Sequence, residues 1–145
     1  MEKAKVYFTD FRTSNGVGLP EKLKRLCRKA GLQTMDLENK FVAIKMHFGE
    51  LGNIAYLRPN YAKAVADLVK EAGGKPFLTD CNTLYPGSRK NALEHLDCAL
   101  ENGFNEINTS ASITALPMYA SLQYTPPSTG TIQSSVPRRP SPIIT

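Results

Sequence analysis

The chain reads as an α/β fold, a partial three-layer arrangement with a parallel sheet built from three βα units, followed by an irregular tail. Short β-rich runs alternate with segments of helical period. Each helical segment opens at Pro or Ser and closes at Gly. Past Phe104 the composition changes: from Asn105 to Thr145 the only charged residues are Glu106, Arg138 and Arg139, set among Ser, Thr and Pro.

Lys5–Thr9 (KVYFT) predicts the first strand, since Val, Tyr, Phe and Thr favour the pleated backbone. Pro20 suits the first turn of a helix that buries Leu23, Leu26, Cys27 and Ala30 and stops at Gly31. Phe41–His47 predicts a second strand, and its near-continuous apolar run suits one covered on both faces. Pro59 opens a second helix in which Ala62, Val65, Ala66, Leu68, Val69 and Ala72 keep the 3.6 period up to Gly73-Gly74. Pro76–Thr79 predicts a third, short strand. Ser88 then caps a third helix with the stripe Ala92, Leu93, Leu96, Ala99 and Leu100, ended by Gly103.

A further strand is due just past Gly103, yet Ile107–Tyr124 alternates only weakly and is interrupted by Pro117. The organisation expected is therefore an α/β portion over residues 1–104 and a Ser/Thr/Pro-rich tail over 105–145. That tail reads as disordered, or as the product of a shifted reading frame.

With 145 residues and a net charge of +5, the chain holds one domain of ordinary size. The basic residues of 21–30, 58–64 and 89–90 are interleaved with acids and read as solvated helix faces, which excludes a nucleic-acid track. No stretch approaches the apolar length of a membrane span. Cys27, Cys81 and Cys98 are odd in number and lack C-x-x-C spacing, which predicts a reducing, cytoplasmic setting and no cluster or structural zinc held by this chain alone.

The polar residues at the predicted strand ends are the functional candidates, because ligands of parallel α/β sheets bind outside the carboxyl ends of the strands. His47 and Glu50 follow the second strand, and Asp80, Asn82 and Thr83 follow the third. Thr9–Arg12 and the loop 13–18 follow the first, so all three ends are expected on one sheet edge. His47, Glu50, Asp80 and Asn82 are candidate ligands for a divalent metal or a small molecule, with imidazole and carboxylate also suited to acid–base work. Thr83 and Ser88 flank Gly87 near a helix start and are anion-binding candidates. The plainer reading of the same residues has His47 closing a strand, Glu50 paired with Arg58 and Asp80 in an Asx turn. His95 reads as solvent-facing, off its helix's apolar stripe.

The motifs KMHFGELGNIAYLRPNY and KPFLTDCNTLYPGSRKNALEHLDCALENGF, with the lead KAKVYFTDFR, resemble domain-of-unknown-function family 362 over about residues 3–104. Members resemble longer α/β proteins with a ferredoxin-like cysteine cluster, so the resemblance implies an iron–sulfur-associated redox or electron-transfer role. It also implies a 4Fe-4S cluster in full-length relatives, bound outside this chain. It matches His47, Gly49, Glu50, Asp80, Asn82 and Thr83 to the family's characteristic positions without assigning them roles. Three readings follow. The first is a truncated member of that family, the second a metal- or anion-binding enzyme-like domain, and the third a non-catalytic assembly module. In the last, a second copy or another partner covers the open sheet edge.

Overall fold

Two βαβ units in succession set the architecture. The computed structural model describes residues 3–116. Helix α1 (Leu19–Lys29) is followed by strand β1 (Phe41–Lys45), helix α2 (Pro59–Glu71), strand β2 (Lys75–Cys81), helices α3 (Ala92–Glu101) and α4 (Glu106–Thr109), and strand β3 (Ser112–Leu116). The sheet order is β1-β2-β3, parallel throughout, with Ile44 level with Leu78 and Leu78 level with Ile113. This is the α/β class with a parallel three-stranded sheet.

The membership of that sheet differs from expectation in two places. Lys5–Thr9 forms no strand: its residues are exposed and pair with no strand among the described residues. Its anchor is instead α1, because the Lys22 ammonium hydrogen-bonds the carbonyls of Asp10 and Arg12. The third strand is β3, beyond the compositional break at Phe104. It was obscured because SITAL is short, carries Ser112 and Thr114, and runs into Pro117, yet it pairs along its length with β2 and turns Ile113 and Ala115 inward. The chain just after Phe104 is folded as well, since the α4 cap Asn105 accepts the Asn108 N–H. Of the tail expected over 105–145, residues 117–145 lie outside the described residues.

The core joins register-matched residues of the three strands to two helices. Phe48, Ala62, Ala66, Leu78, Ala99, Phe104 and Ala111 are buried together, with Ile44, Met46, Tyr56 and Ile113 packed against them. Phe48 and Phe104 meet at 5.2 Å between ring centroids. Burying each large side chain stabilises the fold by about 1.5–3 kcal/mol. Alanines at 62 and 66 let α2 lie close on the sheet, and α1 packs outside α2 with ion pairs Lys24–Asp67 and Arg28–Glu71.

Strand β1 is covered on one face only among the described residues. Val42 and Ile44 are half-buried, whereas Phe41, Ala43 and Lys45 are exposed. The apolar run therefore overstated its burial, because an edge strand needs only one apolar face.

Helix α3 is rotated from the predicted stripe. Its N-cap is Asn91, whose Oδ1 accepts the Glu94 N–H at 3.0 Å, so Ser88 does not cap it. Leu93 and Leu100 are exposed, and the buried face is His95, Cys98 and Ala99. Polar groups on β2 decide that rotation.

Candidate functional site

The site starts where β1 and β2 end. Met46 N–H donates to the Thr79 carbonyl at 3.0 Å, carrying the parallel register one step beyond β1 and placing Met46 level with Asp80, with His47 next in the chain. The chain then turns inward at Phe48 and reverses at Gly49, whose φ is +87°. A Cβ there would lie 2.6 Å from Asn102 Nδ2 and 2.8 Å from the Tyr56 ring, so only glycine fits. Asn102 donates to the Phe48 carbonyl at 3.0 Å and fixes this turn against α3.

Asp80 is the hub. Its Oδ1 accepts from the Lys45 ammonium at 2.7 Å and from the Cys81 N–H at 2.8 Å. Its Oδ2 accepts from Arg89 Nη1 at 3.2 Å and from the Phe48 N–H at 3.3 Å. Burial alone would raise this carboxyl's pKa, but His95, Lys45 and the Cys81 N–H outweigh it and hold Asp80 well below the ordinary carboxylate range.

Arg89 is 4% exposed and bridges two carboxylates. Its Nε donates to Glu50 Oε2 at 3.0 Å, its Nη1 to Asp80, and its Nη2 to the Tyr85 hydroxyl. Glu50 Oε1 also accepts the Ser88 N–H at 2.9 Å, and the Thr83 N–H donates to the Arg89 carbonyl at 2.9 Å. The loop 82–91 is thus pinned to both strand ends from its interior. Burial pushes the Glu50 pKa up, and Arg89 and Ser88 more than reverse it, leaving Glu50 lowered.

His95 is fully buried. Its Nδ1 lies 3.0 Å from Asn82 Oδ1, its ring stacks edge-on against Phe48, and its Nε2 stands 3.4 Å from Asp80 Oδ2 without a well-aligned hydrogen bond. These contacts explain the rotation of α3, since a buried imidazole needs the polar partners that β2 offers.

The predicted residues are thus partly assembled. Glu50, Asp80 and Asn82 enter one network. His47 stays exposed at its rim, its Nδ1 accepting the Gly49 N–H at 2.9 Å, and its pKa is lowered by desolvation and then by the nearby Arg89. Thr83 and Ser88 enter through their backbones. The first segment, Thr9–Arg12 with loop 13–18, makes its hydrogen bonds and ion pairs within itself and with Lys22, not with this network. Glu50 pairs with Arg89, not Arg58, whose guanidinium lies 4.9 Å over the Tyr56 ring.

The sequence alone does not mark two members: Arg89 reads there as a solvated charge and His95 as solvent-facing. Asn91, His95, Cys98, Ala99 and Asn102 recur at helical spacing, and that stripe of small and hydrogen-bonding residues was the available signal.

Among the described residues, no group of three or more His, Cys, Asp or Glu side chains is placed to hold a metal ion. The Asp80 and Glu50 oxygens face cations and N–H groups instead. The thiols do not fit an iron–sulfur cluster either. Cys98 is buried and directed at the Gly49 carbonyl, Cys27 lies on α1, and burial raises the pKa of both.

Residues 42–138 match the model of a family described as a domain of unknown function, DUF362. The chain belongs to DUF362. The DUF362 match takes in the whole of the network around Asp80 and most of the sheet. It runs past Phe104, so the family resemblance is not confined to the part before the compositional break. No curated protein and no solved structure matches the chain. No helix among the described residues is long and apolar enough to cross a membrane.

Proposed function

We propose that this DUF362 chain is a ligand-binding α/β domain that holds a small polar molecule over the carboxyl ends of β1 and β2. Intact relatives would use such a domain in redox or electron-transfer work, a part of the reading that rests on the sequence resemblance. The observation that carries the binding role is the buried Asp80–Arg89–Glu50 network with His95 behind it. Packed apolar groups would stabilise the same volume as well or better, so burying charge at the edge where such sheets bind ligands points to a site.

In this reading Asp80 and Glu50 fix the loop, Asn82 positions His95, and His47 meets the ligand. The Gly49 N–H occupies His47 Nδ1, so the lowered pKa leaves a neutral ring near pH 7 with its proton on Nε2. That N–H suits a carboxylate, phosphate or carbonyl oxygen. The free thiols at Cys27, Cys81 and Cys98 support the cytoplasmic setting.

The test is a 15N NMR titration of the full chain with magnesium ion, inorganic phosphate and oxalate in turn. At least one probe is expected to move the His47 ring signals and the Thr83 and Ser88 amides. The response should be lost in His47→Ala. If all three leave these signals unmoved, or His47→Ala responds as wild type does, the reading is overturned. For the redox part, a longer relative purified anaerobically is expected to show a cluster signal by electron paramagnetic resonance.

One observation favours assembly beside ligand binding. β1 is an outer strand whose Phe41 is 79% exposed, beside exposed Ala43. A second copy docked on this open face at the β1 edge would cover both. Sedimentation should then show a dimer that Ala43→Lys converts to monomer, and a wild-type monomer at high concentration overturns it.

A further inference from the structure

We propose that the groove between residues 8–17 and α1 binds a phosphorylated small molecule carrying a flat apolar group, such as a nucleoside diphosphate. The groove shares no residue with the Asp80 network. Its floor is one helix face: Lys22, Arg25, Leu26 and Lys29 fall at i, i+3, i+4 and i+7 of α1. Its wall starts at the end of Lys5–Thr9, the run expected in the sheet, and continues through the loop that follows it.

That wall is held in place rather than adrift. The Lys22 ammonium donates to Asp10 Oδ1 at 2.6 Å, to the Asp10 carbonyl at 2.7 Å and to the Arg12 carbonyl at 2.6 Å. A turn closed by Val17 N–H on the Ser14 carbonyl at 2.9 Å, with Gly16 at φ +78°, ends it. The groove is open to solvent along one side and has a volume of about 450 Å³, within the range of small-molecule sites.

Four cations line the groove, Arg12, Lys22, Arg25 and Lys29, against the single carboxylate of Asp10. Asp10 answers Lys22, and Glu21 answers Arg25 at 3.2 Å. The surplus rests with Arg12, 94% exposed and 3.7 Å from the Asp10 carboxylate that Lys22 already holds, and with Lys29, which makes no ion pair among the described residues. One comes from the wall and one from the floor, so a ligand bearing two or more negative charges gains from both. Phe8, 85% exposed on the same groove, offers a ring face to a flat group. A single walled groove suits a small molecule better than a nucleic-acid strand, which needs a continuous track.

Calorimetry on the full chain tests this with ADP, inorganic pyrophosphate, adenosine and a ten-residue oligothymidylate. ADP and pyrophosphate are expected to bind, more weakly as salt rises, and adenosine not to bind. The double variant Arg12→Glu/Lys29→Glu should lower ADP affinity by about tenfold or more. Both residues are exposed, so the fold is retained, as circular dichroism will check. Phe8→Ala should weaken ADP and leave pyrophosphate unchanged. The proposal is overturned if neither ADP nor pyrophosphate binds. It is equally overturned if Lys70→Glu/Lys75→Glu, remote from the groove, causes the same loss, or if the oligonucleotide binds more tightly than ADP.

Discussion

Arg89 Nη1 lies 3.2 Å from Asp80 Oδ2, and the two side chains are only 4% and 6% exposed. A charge pair so enclosed behaves unlike a surface salt bridge, because removing one partner leaves the other uncompensated in a poorly hydrated place. Arg89→Ala takes the guanidinium from Glu50 and leaves Asp80 with Lys45 as its remaining basic side chain on Oδ1 and only the His95 ring beside Oδ2. The expected loss of stability is about 3–5 kcal/mol, read from urea unfolding followed by circular dichroism. Arg89→Lys should recover little, since one ammonium cannot span Asp80, Glu50 and the Tyr85 hydroxyl together.

Acid should weaken the fold through the same carboxylates. Asp80 and Glu50 have folded pKa values below their ordinary ones, so each contributes stability that is fully present above its unfolded pKa. That contribution fades as pH falls through about 4 towards the folded values. The urea midpoint is therefore expected to hold from pH 7 to about 5 and then drop, and Asp80→Asn should flatten the drop while lowering the plateau. An Asp80→Asn curve with the wild-type acid slope would show that this carboxylate is not the source.

His95 is expected to depend on Asn82. Asn82→Ala leaves the buried Nδ1 without its 3.0 Å partner, a cost of about 1–3 kcal/mol. A double-mutant cycle with His95→Phe checks this, because Asn82→Ala should cost much less once the imidazole is gone.

Gly49 should tolerate no side chain. Gly49→Ala combines φ +87° with a Cβ 2.6 Å from Asn102 Nδ2. The expected loss is about 1–3 kcal/mol, with the thermal midpoint lowered accordingly. Asn102→Ala should relieve part of the clash in the double variant.

β3 is a working strand of the sheet. Ile113 sits level with Leu78 and packs on the core. Ile113→Ala should therefore cost about 1–3 kcal/mol, whereas the exposed Ile107→Ala, just five residues from the start of β3, should be nearly neutral. Equal effects at both positions would count against the strand.

Much of this protein was decided locally and could be read locally. Proline at the first turns of α1 and α2, the 3.6 period of α2 and the glycines at 31, 73 and 103 specify where helices start and stop. Short apolar runs between them specify strands, and their alternation specifies a parallel sheet with polar residues at its carboxyl edge. Those features involve residues within a few positions of one another, which is the range over which propensity and period act.

The tertiary structure decided what depends on a distant partner. KVYFT has the chemistry of a strand, but Lys22 holds the chain beside it on α1; SITAL looks like tail, but β2 pairs with it. Arg89 is distinguished from any surface arginine by Glu50, thirty-nine residues earlier, and His95 by Asn82 and Asp80. A polar side chain is buried only when another segment supplies its hydrogen bonds, and no local pattern records which segment that will be.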